Sequence, residues 1–394
     1  MKRRDWIQDA SATVVASSLL TFVGAGCKAG NTKKVRLAVA GGNFGTQFFF
    51  HEHPNCEVTA VTDLRAERRD RLKSVYGCDT AYDSLEELLK KEKDVDAVAL
   101  FTDAPLHAKH VLMCFKRGLH VLSAVPACVS VEEAQQLAEV QRSSGLKYML
   151  AETSYYRPSC IFARNYFKKG LFGTLFYTEA EYYHDKGNLD ALMSNKGTRF
   201  WNPDGTPSWR WGFPPMGYPT HALGFLVGVT DERITEVSCL GWGSEHPYVR
   251  KNAYDNPFWN ETALMRTNKG HALRANVFWL VAGHGERASW YGDKATLLDA
   301  DKYRGRPVLD IRTGRTQSIA FPEFHKSDMI PPPMRHSSGH GDSHVLSTAE
   351  FINGLADDRM PEIDLDRGLA MTVPGIIAHR SALKGGEQLK VPKW

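Results

Sequence analysis

The chain has 394 residues, of which 42% are hydrophobic and 24% charged, with a formal net charge of +4. That length suits two domains better than one, and the apolar fraction supplies a sizeable core, which excludes a disordered or fibrous chain. Lys and Arg are scattered and form no basic stripe with interleaved aromatics, so nucleic acid is not expected as a partner.

Residues 1–31 read as an export signal and linker. Lys2, Arg3 and Arg4 open a charged start, and Asp5, Trp6 and Ile7 complete an R-R-x-apolar-apolar pattern. Ala10 to Gly26 follows as a stretch of small and apolar residues, too short and too weakly apolar for a membrane span. The pattern is that of a twin-arginine signal and predicts a periplasmic or envelope-associated protein. Cys27 is a candidate lipid anchor, with Gly24 where a Leu is usual. No two of the seven cysteines are spaced C-x-x-C, so core thiols are expected.

From Lys34 onward, short apolar runs alternate with helical patterns. Strands are predicted at Val35 to Ala40, Glu57 to Thr62, Val95 to Phe101, His120 to Ser123 and Lys147 to Ala151. A helix-compatible stretch follows the first. Helices are predicted at Ala66 to Tyr76, Ser84 to Lys91 with Ser84 as cap, His107 to Arg117, and Val131 to Ser144, where Ser130 and Glu133 suggest a capping box. This alternation implies a parallel sheet covered on both faces. Beyond residue 152 aromatics become dense and alternating runs appear at Phe176 to Tyr183, Ile234 to Gly241, Thr262 to Thr267, Ala272 to Val281 and Arg287 to Tyr291. They predict one large open antiparallel sheet with flanking helices at Cys160 to Lys169, from Thr220, and at Ser343 to Leu355 and Asp366 to Leu383. An exposed face of that sheet would favour a homo-oligomer.

The first strand ends in Ala40-Gly41-Gly42-Asn43-Phe44-Gly45. Read as G-x-G-x-x-G it has Ala40 in the first position, Gly42 for close approach to a pyrophosphate and Gly45 for helix packing. The pyrophosphate is expected at a helix N-terminus. Asp63, at the end of the second strand, is placed to accept both ribose hydroxyls, which favours NAD, while Arg65 leaves NADP open. Residues 32–152 are therefore read as a Rossmann NAD-binding domain, and 153–394 as a substrate and oligomerisation domain whose C-terminal helices can pack back on the first.

This order of motifs resembles the Gfo/Idh/MocA oxidoreductase family, a Rossmann domain followed by an open sheet. There the segment after the fourth strand usually reads Glu-Lys-Pro, with the lysine as proton carrier; here it is Ala124-Val125-Pro126. Glycoside hydrolase family 109, NAD-dependent glycosidases such as alpha-N-acetylgalactosaminidase, is more similar. Its Glu-Val-Pro-Ala-Ala resembles Ala124 to Cys128, its Leu-Glu-Asn resembles Ala151-Glu152-Thr153, and its Tyr-x-His-Asp resembles Tyr182 to Asp185. Its Trp-Arg and Tyr-Pro-Thr-His look like Trp209-Arg210 and Tyr218-Pro219-Thr220-His221. The chain departs from that pattern at Ala124 and Thr153.

The resemblance implies that Gly42, Asn43, Phe44, Gly45, Asp63, Thr102, Ala104, Pro105, Leu106, His107, Ala124, Val125 and Thr153 hold NAD. It implies that Tyr182, Arg210, Tyr218, Pro219, Thr220 and His221 hold a carbohydrate. The implied reaction is glycoside cleavage by transient oxidation of a ring carbon, elimination, water addition and re-reduction, with NAD regenerated in each turnover. His221 is the candidate for the hydroxyl proton, since an imidazole titrates near neutrality. Tyr182 is the candidate at the neighbouring carbon, provided its pKa is lowered, and Glu152 is the candidate to orient His221 or to contact the cofactor. A sugar oxidoreductase, a keto-glycoside lyase and a non-catalytic sugar- or NAD-binding protein are the alternatives. His336, His340, Asp342 and His344 have ligand chemistry, but Gly339 and Gly341 between them fit a substrate loop better than a metal site.

Overall fold

The structure, a computed structural model, describes residues 34–185, 189–243, 251–300 and 305–394. The export-signal pattern and Cys27 lie outside the described residues.

The N-terminal half alternates strands and helices: β1 (Val35–Ala40), β2 (Cys56–Thr62), α1 (Ala66–Tyr76), β3 (Ala81–Tyr82), α2 (Leu85–Lys91), β4 (Ala97–Leu100), α3 (His107–Lys116), β5 (His120–Ser123), α4 (Val131–Ser144) and β6 (Tyr148–Leu150). The six strands pair in the order β3-β2-β1-β4-β5-β6, all parallel. The order reverses between β1 and β4, which opens a crevice at their carboxyl ends, the usual ligand position in such sheets. The predicted caps form: Ser84 Oγ accepts from the Glu87 amide and Ser130 Oγ from the Glu133 amide, both at 3.1 Å.

One predicted helix is replaced. After β1 the chain makes two short 3-10 turns, Phe44–Gln47 and Phe50–Glu52, with Phe49 between them at φ 55°. Phe48 and Phe50 are both fully buried. Residues two apart point to nearly opposite sides of a helix, so a continuous helix could bury only one of these rings against the sheet. Breaking it at Phe49 buries both.

The C-terminal half comprises α5 (Pro158–Lys168), β7 (Leu175–His184), α6 (Leu189–Ser194), α7 (Thr220–Thr230), β8 (Ile234–Trp242), β9 (Asn260–Thr267), β10 (Ala272–Phe278), β11 (His284–Gly292), β12 (Ala295–Leu298), β13 (Val308–Ile311), β14 (Arg315–Ser318), α8 (Gly339–Ala356), α9 (Leu365–Leu383) and β15 (Leu389–Lys390). The sheet order is β14-β13-β12-β11-β7-β10-β9-β8-β15. It is antiparallel except where β7 runs parallel to β10, so the sheet is mixed. The reason is topological: β7 lies between β10 and β11, which are consecutive and run oppositely, and a strand inserted there must run parallel to one of them.

Ala180, Leu273, Ala275, Val277 and Trp290 face inward and are buried, and α7 packs against β7, β10 and β11. Leu240, Trp242 and Leu264 stand exposed on the two neighbouring strands β8 and β9. α9 packs against α4 and β6 of the first half, where Thr372 Oγ1 accepts from the Ala127 amide at 3.3 Å. The six cysteines among the described residues are free and buried, and burial pushes the Cys56 thiol up to about 12.

Candidate active site

The crevice is built on close backbone approach. A Cβ at Gly41, whose φ is +106°, would lie 2.3 Å from the Phe101 carbonyl oxygen. One at Gly42 would lie 2.3 Å from the Arg68 carbonyl oxygen in α1, and one at Gly45 2.8 Å from the Phe101 ring. The turn glycine is thus Gly41 rather than the Ala40 position, and the missing side chain of Gly42 makes room for α1. The expected helix N-terminus is not there either: the 3-10 turn from Phe44 has four residues, too few for an appreciable dipole. Asp63 stands where expected, at the end of β2, with Oδ2 accepting from the Gly42 amide at 2.7 Å and Oδ1 from the Arg65 amide at 2.9 Å.

The opposite wall is the segment from Thr102 to His107, with Ala104 to Leu106 in a 3-10 turn. His107 is buried behind it, its Nδ1 2.7 Å from the Pro126 carbonyl and its Nε2 3.0 Å from that of Thr102. It braces the loops after β4 and β5, and burial lowers its affinity for a proton. Ala124 and Val125 follow β5, both buried. Thr153 follows β6, also buried, and its Oγ1 has no hydrogen-bond partner, as is true of Glu152 Oε2. Orphaned buried polar atoms at the carboxyl end of the parallel sheet, with the Asp63 carboxylate at the end of β2, are what a site for a polar ligand presents, so these residues fit a dinucleotide.

At the carboxyl edge of β6, Glu152 accepts from the Ser154 amide at 2.7 Å and meets His221 Nδ1 at 2.8 Å. Pro219 and Thr220 begin α7 and set His221 in its first turn. Burial pushes the Glu152 pKa up, but the His221 charge and hydrogen bond pull harder, and the carboxyl sits below its usual range. A carboxylate at Nδ1 holds the imidazole proton there and leaves Nε2 as the base. The His221 ring packs 4.4 Å from Tyr182 and 5.5 Å from Tyr218, centroid to centroid. Burial raises both phenols, Tyr218 to about 12 and Tyr182 well above its ordinary value. The lowered pKa that a base role for Tyr182 requires is therefore reversed: the resting phenol keeps its proton. Arg210 lies with its guanidinium 4.2 Å from the Trp209 ring centroid, and no carboxylate pairs with it among the described residues.

Trp209 Nε1 donates to Asp103 Oδ1 at 2.8 Å, so the C-terminal half of the chain reaches over the cofactor-side segment. Trp209→Phe keeps the ring and removes this bond. A single bond to a charged group is worth about 1.5–3 kcal/mol, and the low end suits an exposed one, so NAD is expected to leave roughly tenfold faster, measured as release after rapid dilution; an unchanged rate would rule out a retaining role.

Three site residues were not read from the sequence. Glu286, nearly inaccessible, accepts from Ser154 Oγ at 2.6 Å, forms an ion pair with Arg157, and lies 3.8 Å from His221 Nδ1. The available signal was its position in β11, on the face of the buried Ala288 and Trp290, where a carboxylate is out of place without a partner. Glu286→Gln removes the carboxylate that pairs with Arg157, and breaking such a pair is expected to cost on the order of 3 kcal/mol; equilibrium urea unfolding with an unchanged midpoint would refute it.

The histidine-rich loop serves the same wall. His340, Gly341 and Asp342 all have positive φ, so the helix proper begins at Ser343 as predicted. His340 Nδ1 lies 2.9 Å from His344 Nε2, and Phe44 packs edge-on against both rings. Asp342 pairs instead with His325 at 2.9 Å and His336 with Glu52 at 2.6 Å, so the four ligand types do not converge. Burial pushes His340 down to about 3 and His344 to about 4, leaving both neutral.

A dinucleotide-binding oxidoreductase fold, with an acid–base cluster at the crevice, is the class defined. Residues 35–152 match the family model described as oxidoreductase family, NAD-binding Rossmann fold, Gfo/Idh/MocA. The whole chain is similar to a glycosyl hydrolase family 109 protein of Akkermansia muciniphila, 28% identical over 98% of this chain and 88% of the relative. Part of it is similar to an alpha-N-acetylgalactosaminidase of Bacteroides fragilis, 26% identical over 46% of this chain and 45% of the relative. Among solved structures, a levoglucosan dehydrogenase in complex with NADH and L-sorbose shares the fold, with a TM-score of 0.75 at 14% identity, covering 92% of this chain and all of that one.

Proposed function

We propose that the protein is an NAD-dependent glycosidase that oxidises a sugar ring carbon transiently and restores it within each turnover. The observation that carries this reading is the His221–Glu152 pair beside Tyr182, at the carboxyl edge of the Rossmann sheet. It supplies an oriented base where the lysine position of ordinary Gfo/Idh/MocA dehydrogenases holds Val125. The glycosidase names of the relatives support the hydrolytic outcome.

Gly41, Gly42, Asp63 and Thr153 would hold the NAD, which supplies a reversible hydride acceptor when bound. His221 Nε2 takes the proton of the sugar hydroxyl and later gives it back, and Glu152 stabilises the imidazolium formed in between. The ketone acidifies the neighbouring C–H: its proton passes to water in the crevice, its electron pair forms a C=C bond, and the substituent at the adjacent carbon leaves with the bonding pair; after water adds there, a proton returns to the first carbon. Arg210 and Tyr218 orient the ring by hydrogen bonds. Export through a twin-arginine route, after cofactor loading, would suit an enzyme that needs no external NAD pool. The exposed Leu240, Trp242 and Leu264 support self-association through the sheet.

The test is incubation of the purified protein with a panel of 4-nitrophenyl glycosides without added NAD, followed by product analysis. Free sugar is expected. A keto-sugar would favour an oxidoreductase, an unsaturated sugar a lyase, and no turnover with NAD still bound a binding protein.

A further inference from the structure

Tyr182, His184 and Arg199 form one hydrogen-bonded line. Tyr182 Oη lies 2.7 Å from His184 Nδ1, and His184 Nε2 lies 2.7 Å from Arg199 Nη2. A guanidinium has donors only and keeps its charge in proteins, so Arg199 donates and His184 Nε2 accepts. The imidazole proton must then be on Nδ1, and Nδ1–H donates to the Tyr182 oxygen. This leaves the phenol's own proton for a partner other than His184. The ring it belongs to packs against His221 and Tyr218, the groups that define the sugar site.

We infer that Arg199 and His184 act as positioning residues that fix Tyr182 as the proton donor to the departing oxygen of the substrate. The inference rests on the glycosidase reading above. In the cleavage step the proton of the neighbouring carbon passes to water and its electron pair forms the C=C bond, while the bond from the sugar carbon to the leaving oxygen breaks, its electron pair stays on that oxygen, and the Tyr182 proton bonds to it. The phenolate left behind is held by the His184 N–H. It regains a proton from the water molecule whose hydroxide adds to the same carbon, so the phenol is restored at the end of the turnover. A donor already bonded at its oxygen also gives up its proton more readily, because hydrogen bonds in series polarise one another.

The distinguishing property of such an acid is that it matters most for poor leaving groups. Methyl and 4-nitrophenyl alpha-N-acetylgalactosaminides supply the two extremes. His184→Leu is expected to lower kcat on the methyl glycoside about 100-fold, and to change that on the nitrophenyl glycoside by less than about threefold. His184→Asn, whose amide N–H takes the place of Nδ1–H, is expected to recover most of the loss. NMR of the holoenzyme with nitrogen-labelled histidine should show the Nδ1–H tautomer at His184, assigned by its disappearance in His184→Asn, and should show it perturbed in Arg199→Leu. Equal losses on both glycosides, an asparagine variant no better than leucine, or an Nε2–H tautomer would overturn the inference. If the wild type cleaves neither these glycosides nor any of the panel above, the glycosidase reading falls, and the tautomer alone decides the arrangement of the three residues.

Discussion

His221→Ala is expected to lower turnover roughly 100- to 10,000-fold, the span of a lost general acid–base group, while NAD remains bound. Two features set the size. The imidazole is held by Glu152 at 2.8 Å, and it is backed by a second carboxylate, Glu286, at 3.8 Å from the same nitrogen. Both carboxylates are buried, so they act in a low dielectric where their effect on a nearby imidazolium is large. Removing the ring removes the base and leaves these charges without it. Glu152→Gln should cost less, because the amide can still hold the ring but no longer offsets the positive charge formed when a proton arrives. His221 is not among the residues assigned to NAD, so the NAD content of His221→Ala should match the wild type. The measurement is single-turnover release of sugar together with NAD quantified after denaturation. Full activity in His221→Ala would remove it as proton carrier, and loss of NAD would assign it a structural role instead.

The dinucleotide half was legible because its signals are local. The strand Val35–Ala40, the helices Ala66–Tyr76 and Val131–Ser144, and both serine caps follow from runs of a few residues and from propensities that act within them. The stretch after β1 was misread because Phe48 and Phe50 are buried by tertiary packing that overrides helical periodicity. The strands β12, β13 and β14 went unread: each has four residues, and runs that short carry little alternation to detect. In the site, Glu152, Tyr182 and His221 were found through resemblance, and the structure does bring them together. Glu286 and Arg157 were not found, since their pairing joins positions 129 residues apart and leaves no mark in local sequence. The direction of the Tyr182 pKa was equally hidden, because burial sets it and burial is decided by the whole fold.

Gly41→Ala is expected to abolish NAD binding and to lower the melting temperature, and a second substitution separates the causes. At φ +106° an alanine is strained by about 1–3 kcal/mol before any contact is considered. Its Cβ would also lie 2.3 Å from the Phe101 carbonyl, and that carbonyl belongs to rigid backbone tied to β1 through the Phe101 amide and the Ala40 carbonyl at 2.7 Å. Relief therefore requires the ends of β1 and β4 to part, and that is the crevice in which the dinucleotide would run. Gly77 offers the control. It too has a positive φ, +61°, at the end of α1, but nothing lies within 4 Å of a Cβ there. Gly77→Ala should cost on the order of 1 kcal/mol and leave NAD bound. Comparing the two variants by thermal melts and by NAD content distinguishes a general strain from damage to the cradle. If Gly41→Ala retains NAD as the wild type does, the close approach of β1 to β4 is not what shapes the site, and the assignment of the crevice fails with it.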